Sequence, residues 1–200
     1  MTSLRQRLRR EITTAIQRVF WVYHLKHFII DGPDDLRAAG PNEFRFVPIT
    51  HDNYSRVGDF RSQDRIAEYR AKIARGEVGF FAQRNGQMVA SIWATINHQA
   101  QPVIARGHIK LMSNEALIHD IVTGEAFRGI GAGPFMVENI ATALLREHRV
   151  RRVIIDVNSD NRPSLRMMEK VGLRAAREGT CISAFGKPIW ERWIQPSAVC

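Results

Sequence analysis

The chain has 200 residues, 44% of them apolar, and 29 Lys and Arg against 20 Asp and Glu give it a formal net charge of +9. This length and apolar content suffice for one domain with a substantial core, while the excess of cations favours an anionic partner, whether a phosphorylated cofactor, nucleic acid or an acidic membrane surface. No apolar run is long enough to span a bilayer, and Cys181 and Cys200 have no spacing typical of a metal site or a disulfide framework, so we expect a reduced, cytoplasmic protein without a metal ion.

Apolar residues recur at three- and four-residue steps in the N-terminal segment. They predict an amphipathic helix within the first 30 residues, and they are Leu4, Leu8, Ile12, Ile16, Val19, Phe20 and Tyr23. Gly-Pro pairs at 32–33 and 40–41 then interrupt the chain, so we expect a helical extension over residues 1–41. We favour packing of this helix on the domain or on a second subunit, as in a homodimer, over peripheral contact with a membrane surface.

Short β-like runs alternate with helical ones over the rest of the chain, which predicts a three-layer α/β domain over residues 42–195 and a short tail at 196–200. Seven strands are predicted at 44–49, 78–83, 88–97, 117–122, 153–157, 180–185 and 189–194, and three helices at 59–75, 134–148 and 162–171. Asn85-Gly86 favours a tight hairpin between the second and third strands. The fourth and fifth strands, with a helix between them, predict a parallel β-α-β unit.

A glycine-rich segment, 128–134, joins one strand of this unit to its helix. Gly129, Gly131 and Gly133 free the backbone of side chains, so that successive N–H groups can converge on an anion at the positive end of the helix dipole. Pro134 stands where a dinucleotide-binding fingerprint needs Gly or Ala, and no Lys follows the last glycine as a nucleoside-triphosphate loop requires. From this segment alone, a plain glycine-rich turn is the alternative.

A second segment places the amide of Asn161 and the hydroxyl of Ser164 where the next parallel strand gives way to its helix, at the edge of the sheet where ligands gather. Together the two segments resemble the Gcn5-related N-acetyltransferase (GNAT) family over residues 118–173. Its acyl-CoA signature, Arg or Gln, two residues, Gly, one residue, and Gly or Ala, is matched by Arg128, Gly131 and Gly133. Its second signature is matched by Asn161, Ser164, Glu169, Lys170 and Gly172, with Leu173 in place of the usual aromatic residue.

The resemblance implies a three-layer fold around a central mixed, mostly antiparallel sheet of six or seven strands, with helices on both faces and a parallel β-α-β cofactor unit. It also implies acetyl-CoA, or another acyl-CoA, as co-substrate. Backbone N–H groups would hold the pyrophosphate, namely those of Arg128, Gly129, Ile130, Gly131, Ala132 and Gly133. The strand backbone of Ile121, Val122 and Thr123 would pair with the pantetheine arm. Asn161, with Ser164 beside it, would hydrogen-bond the pantetheine or cap its helix.

Attack of an amine on a thioester needs a base for the ammonium proton and a donor for the oxyanion. His119 and Asp120 match the positions where relatives carry an acidic base or a substrate-binding carboxylate. Successive strand residues point to opposite faces, so we expect at most one of them to face the cleft. Asp120 is the first candidate and His119 the second, with a purely structural role as the alternative for each. Met168 stands where relatives use a tyrosine to protonate the leaving thiolate, so Ser164, a water or unassisted departure would replace that step.

These residues predict an acyl-CoA-dependent N-acyltransferase that moves an acetyl group to a primary amine of a small molecule or peptide. One alternative is a longer-chain acyl-CoA enzyme near a membrane, which the basic amphipathic start favours. A second is a catalytically silent acyl-CoA-binding module, which Met168 favours. We expect no nucleic-acid partner, because the positive charge is dispersed and no nucleic-acid-reading module accompanies it.

Overall fold

A computed structural model describes residues 20–37, 43–106, 109–185 and 187–195. Its strands and longer helices are, in chain order, β1 (Phe20–Ile30), β2 (Arg45–Pro48), α1 (Ile66–Ala74), β3 (Val78–Arg84), β4 (Gln87–Asn97), β5 (Val103–Arg106), β6 (Ile109–Leu111), β7 (Glu115–Thr123), α2 (Ala132–Arg146), β8 (Arg152–Asn158), α3 (Arg162–Lys170), β9 (Ala175–Ala184) and β10 (Lys187–Ile194). Short 3-10 turns lie at Pro33–Asp35, Tyr54–Asp59, Gln63–Arg65 and Glu125–Phe127.

Eight strands form one sheet in the order β10-β9-β1-β8-β7-β4-β3-β2, and β5 and β6 form a separate hairpin. The β7–β8 pair is parallel, and the other pairs of the large sheet are antiparallel. The mixed, mostly antiparallel sheet and the parallel β-α-β unit are therefore confirmed. The large sheet has eight strands where six or seven were expected.

Helices cover both faces of the sheet, as alternating side chains of β3 and β4 demonstrate. Phe80 and Ile92 belong to the large core that also contains the buried side of α2, whereas Phe81 and Trp93 pack with Tyr69 of α1 on the opposite face. Period-two alternation directs neighbouring residues of a strand into different layers. Each fully buried side chain of this size contributes about 1.5–3 kcal/mol of hydrophobic free energy. The predicted three-layer architecture is confirmed.

The predicted N-terminal helix is wrong over residues 20–30, which form β1. This strand lies inside the sheet, antiparallel to β8 on one side and to β9 on the other, with Phe28 opposite Ile155. Its sequence, FWVYHLKHFII, is rich in aromatic and β-branched residues, which fit a pleated strand better than a helix. The helical spacing that includes Phe20 and Tyr23 therefore predicted the wrong element for residues 20–30. Residues 1–19, 38–42 and 196–200 lie outside the described residues.

Strand β1 also changes the place of the final hairpin. The predicted hairpin near the C-terminus is present as β9 and β10, and it forms one edge of the sheet. It contacts β1 rather than β8, since β1 occupies the position next to β8. The short β5–β6 hairpin was not predicted. It covers Leu117 and Ile154 with Ile109 and Leu111, on the face that carries α1.

Candidate active site

The parallel strands β7 and β8 separate towards their carboxyl ends. They pair from Glu115 opposite Arg152 to Ile118 opposite Ile155. Beyond this point β7 continues to Thr123 and β8 continues to Asn158, without further pairing between them. The backbone of β7 after Ile118 thus faces an opening between the two strands instead of a neighbouring strand.

An irregularity in β7 coincides with this opening. On the side of β4, Val122 lies opposite Ser91 and His119 opposite Trp93, so two residues of β7, Asp120 and Ile121, occupy the space of one residue of β4. Asp120 has a φ of 49°, in the left-handed region that non-glycine residues seldom adopt. A bulge of this kind bends a strand and increases its local twist. The bend of β7 accounts for its departure from β8.

A cavity of about 690 Å³ lies at the opening. It is lined by the end of β7, the 128–134 loop and the first turns of α2 and α3, and its lining residues are Ile121, Val122, Thr123, Phe127, Arg128, Gly129, Gly131, Ala132, Gly133, Pro134, Asn161, Pro163, Ser164, Arg166, Met167 and Lys170. The fold thus brings the sequence-predicted cofactor residues together, with one exception. Ile130 does not line the cavity and exposes 39% of its surface to solvent.

The three glycines of the loop differ in what they do. Gly129 and Gly131 have φ values of 83° and 91°, and a methyl group at either position would meet no atom within 4 Å. They provide left-handed backbone beside open space, as close approach of a ligand to the loop requires. Gly133 instead lies in α2, where an added methyl group would come within 2.6 Å of the Met167 sulfur. Its role is to let α2 pack on α3.

Positive charge surrounds this cavity. Arg128, Arg166 and Lys170 line it, and no carboxylate is among the described residues that do. The first N–H groups of a helix have no intrahelical acceptor and carry the positive end of its dipole, and α2 begins at Ala132 in the wall of the cavity. The arrangement suits a polyanion such as a diphosphate, because backbone N–H groups and guanidinium groups can both bind its oxygens.

Asn161 caps α3 beside the cavity. Its Oδ1 accepts a hydrogen bond from the Ser164 N–H at 3.2 Å, which satisfies one of the first N–H groups of the helix. The capping role weighed from the sequence is therefore present. Its Nδ2 amide is a donor of the kind that a pantetheine carbonyl accepts.

A second cavity, of about 330 Å³, follows directly along β7. Both His119 and Asp120 line it, together with Glu68, Lys72, Arg75, Glu77, Thr95 and Ala105. The expectation that the two side chains point to opposite faces is wrong. Regular alternation would send Asp120 to the α2 side, but its left-handed backbone turns its carboxylate to the α1 side, where His119 lies.

The carboxylate of Asp120 is held by two cations. Its Oδ2 contacts the Lys72 ammonium, and its Oδ1 lies 3.8 Å from a guanidinium nitrogen of Arg61. The Lys72 side chain is only 6% exposed, and its Nζ lies 5.1 Å from the centre of the Trp93 ring. A buried cation of this kind requires a counter-ion. The Lys72–Asp120 pair therefore fixes α1 to the bulge of β7.

His119 faces a different partner. Its Nε2 lies 3.1 Å from the Thr95 hydroxyl oxygen and 3.5 Å from Oε2 of Glu77. Glu77 sits between α1 and β3, and its side chain is 10% exposed. Glu77 was not among the residues predicted from the sequence, because a single acidic residue ahead of a strand has no pattern that separates it from a solvent-exposed one. Only the fold brings it to His119.

Met168, the residue at the position of the usual tyrosine, is fully buried in the large core. Its neighbour Met167 is the methionine that reaches the cavity. No hydroxyl group is available from either. Within the described part of the chain, no group of three or more His, Cys, Asp or Glu side chains is arranged to hold a metal ion.

A sequence model of the acetyltransferase (GNAT) family matches residues 44–173, which is more than half of the chain. The chain belongs to the GNAT family. The match includes the glycine-rich loop, the helix that Asn161 caps and the bulged strand β7, so the GNAT domain contains both cavities. Strand β1 precedes the matched residues although it lies inside the same sheet. No curated protein matches the chain.

Solved GNAT structures share the fold. An acetyltransferase of the GNAT family from Colwellia psychrerythraea aligns with a TM-score of 0.58 at 12% identity, over 87% of this chain and 61% of its own. A GCN5-related N-acetyltransferase from Sphaerobacter thermophilus aligns with a TM-score of 0.56 at 13% identity, over 93% of this chain and 56% of its own. The chain thus spans less than two thirds of the length of these structures. At such identities the likeness concerns the fold.

No helix among the described residues is long and apolar enough to cross a membrane.

Proposed function

We propose that this GNAT protein is an acyl-CoA-dependent N-acyltransferase that transfers an acetyl group from acetyl-CoA to a primary amine by direct attack on the thioester. The observation that carries the proposal is the cavity between β7 and β8. Left-handed glycines, the start of α2 and three cations all lie on its wall. These are the groups that a diphosphate linked to a long, amide-containing arm would need.

The pantetheine arm would bind along β7. The backbone of Ile121, Val122 and Thr123 faces the opening that β8 leaves, so its peptide groups can pair with the amides of the arm as with another strand. Asn161 Nδ2 would donate to a carbonyl of the arm from the opposite wall. Arg128 and the N–H groups from Gly129 to Gly133, including that of the more exposed Ile130, would hold the pyrophosphate.

The acceptor would enter through the second cavity. His119 and Asp120 immediately precede Ile121 on the same strand, so an acyl group at the end of the arm would lie beside them. The cavity is small and its lining is almost entirely polar or charged, which suits a polar amine better than an extended apolar chain. We assign it to a small-molecule amine or to the terminal amine of a peptide.

Release of free thiol from acetyl-CoA, measured across a panel of amino sugars, amino acids, polyamines and peptides, tests this function. We expect saturable thiol release with at least one primary amine and none with its N-methylated quaternary analogue. Binding of acetyl-CoA without thiol release on any amine would contradict catalysis. That outcome would favour the silent acyl-CoA-binding module, for which the absence of a hydroxyl at Met168 is the supporting observation.

The longer-chain alternative is tested by competition between acetyl-CoA and palmitoyl-CoA. Its support was a basic amphipathic helix, and residues 20–30 of that segment form a strand instead. We expect acetyl-CoA to be the better donor. A higher kcat/KM with palmitoyl-CoA would reverse this order.

A further inference from the structure

Three carboxylates, Glu68, Glu77 and Asp120, line the proposed acceptor cavity, and their surroundings differ. Asp120 has cations on both oxygens, Lys72 on Oδ2 and Arg61 near Oδ1. Glu68 is 35% exposed and lies 3.0 Å from Arg65 and 3.4 Å from Lys72. Neither carboxylate presents an oxygen that is both sheltered from water and turned away from a cation.

Glu77 does present such an oxygen. Its Oε1 receives both contacts with the Arg75 guanidinium, from Nε at 2.8 Å and from a terminal nitrogen at 2.7 Å. Its Oε2 is buried and makes no hydrogen bond, and His119 Nε2 lies 3.5 Å from it. A buried carboxylate oxygen without a hydrogen bond is rare in folded proteins, and a catalytic role is one of the reasons for which it persists.

We propose that Glu77, assisted by His119, is the group that removes the proton from the acceptor amine, and that Asp120 is a positioning residue. This inference rests on the proposed function. The acceptor binds as an ammonium ion and transfers one proton to Oε2 of Glu77, with His119 Nε2 beside it. The freed lone pair forms a C–N bond with the thioester carbonyl carbon. The C–S bond then breaks, its electron pair leaves on the coenzyme A sulfur, and the second proton that the nitrogen loses passes to that thiolate through water.

Asp120 serves this step through geometry. Its pair with Lys72 ties α1 to the bulge, and α1 leads directly into the turn that carries Arg75 and Glu77. The same bulge brings His119 and Asp120 to one cavity. The charged or titratable groups that line the cavity with Glu77 are Arg75 on its own turn, His119 and Asp120 on β7, and Glu68 and Lys72 on α1.

Steady-state kinetics of Glu77→Gln, measured over a range of pH with the amine found by the thiol-release panel, tests the inference. At neutral pH we expect kcat/KM to fall at least about 100-fold, as loss of a general base entails. The deficit should shrink towards wild type as the pH approaches the pKa of the amine, because a neutral amine needs no base. A purely structural role would leave the deficit constant across pH.

The matched control is Glu43→Gln, which alters an exposed glutamate that also pairs with an arginine, Arg84, far from the cavity. We expect it to keep wild-type kinetics. His119→Gln should lose activity with partial recovery at high pH, whereas Asp120→Asn should lose activity equally at every pH. If Glu77→Gln does not fold, Glu77→Asp replaces it in the test. This variant retains a carboxylate, so its kcat/KM should fall less than that of Glu77→Gln and should keep the pH dependence of wild type.

Two failures are distinguishable. Wild-type protein that transfers acetyl to no amine would remove the proposed function, and with it this role. Active wild type, with Glu77→Gln within twofold of it at neutral pH, would overturn the inference alone. An Asp120→Asn deficit that disappears at high pH would return the role of base to Asp120.

Discussion

At the scale of single residues, Lys72 combines deep burial with two charged neighbours and two aromatic rings. Its ammonium contacts Asp120, lies 3.4 Å from Glu68 and sits over the rings of Tyr69 and Trp93. Burial of an ion pair is not by itself stabilising, but removal of one partner leaves an uncompensated charge. The stability of the protein should therefore depend on this lysine far more than on its surface lysines.

Lys72→Met preserves most of the side-chain volume and removes the charge. We expect it to lower the free energy of unfolding by about 3 kcal/mol, because Asp120 is left in a partly buried site with only Arg61 nearby. Urea denaturation measures the change. Lys26→Met is the control, since Lys26 pairs with Glu178 at a site where the two side chains are 29% and 37% exposed. Such a pair contributes less than about 1 kcal/mol, and equal losses in the two variants would contradict the account.

Tyr69 gives the folded protein a pH dependence in the alkaline range. Burial raises the pKa of its phenol above the ordinary value of 10.0, and its hydroxyl shares a hydrogen bond with Ser91. The unfolded chain ionises this tyrosine at a lower pH than the folded chain does. Stability from this group is therefore complete below the unfolded pKa and is lost as the pH rises from there towards the folded pKa.

Tyr69→Phe should reduce the loss of stability at alkaline pH. The urea midpoint of wild type should fall more steeply than that of the variant as the pH rises above about 10, the ordinary pKa of tyrosine. The thiol of Cys181, whose pKa burial also raises, is present in both proteins and cancels from the comparison. Parallel curves for the two proteins would contradict the proposed role of Tyr69.

At the scale of elements, the 128–134 loop and the start of α2 carry the proposed pyrophosphate site. Gly131→Ala should raise the dissociation constant for acetyl-CoA about tenfold, because a left-handed backbone costs about 1–2 kcal/mol with a side chain present and the loop would relax to another conformation. Isothermal titration calorimetry measures the change. Gly86→Ala is the matched control, because Gly86 has a φ of 80° with no atom near its missing side chain and lies in the β3–β4 turn. It should lose similar stability while its affinity for acetyl-CoA stays unchanged.

The elements that the sequence predicted well are those with local signals. Asn85 and Gly86 mark the β3–β4 turn, and Asn161 and Gly172 bracket α3, so these boundaries follow from residues with strong conformational preferences. Residues 20–30 lacked such markers, and their place depends on the neighbours β8 and β9, which lie far away in the chain. Tertiary pairing overrode a local helical pattern there.

The same distinction applies to the site. The sequence singled out the glycines and Asn161 because a loop and a cap have recognisable local chemistry. Glu77 was not found, because its meeting with His119 depends on a strand about forty residues away in the chain. The bulge at Asp120 was also invisible, since no proline or glycine marks it, and it reversed the expectation about which faces His119 and Asp120 occupy.

At the scale of the whole molecule, two cavities share one bulged strand. The first, between β7 and β8, is lined by cations, and the second is smaller, lined almost entirely by polar and charged side chains, and lies between α1, the start of β3 and β7. Residues 119–123 pass from one to the other without a break. The fold thus places the proposed donor site end to end with the proposed acceptor site, as direct transfer between two bound substrates would require.

Binding of acetyl-CoA in the cavity between β7 and β8 is tested most directly by thermal unfolding of the full chain with acetyl-CoA, compared with NAD and ATP at equal concentrations. A ligand that binds only the folded state stabilises it by about 2.7 kcal/mol at a concentration 100-fold above its dissociation constant, which for a chain of this size raises the melting temperature by about 5–10 °C. We expect a saturable rise of this order with acetyl-CoA, little or none with NAD and ATP, and a reduced rise in Gly131→Ala. An unchanged melting temperature with acetyl-CoA, or an equal rise with all three ligands, would contradict this expectation.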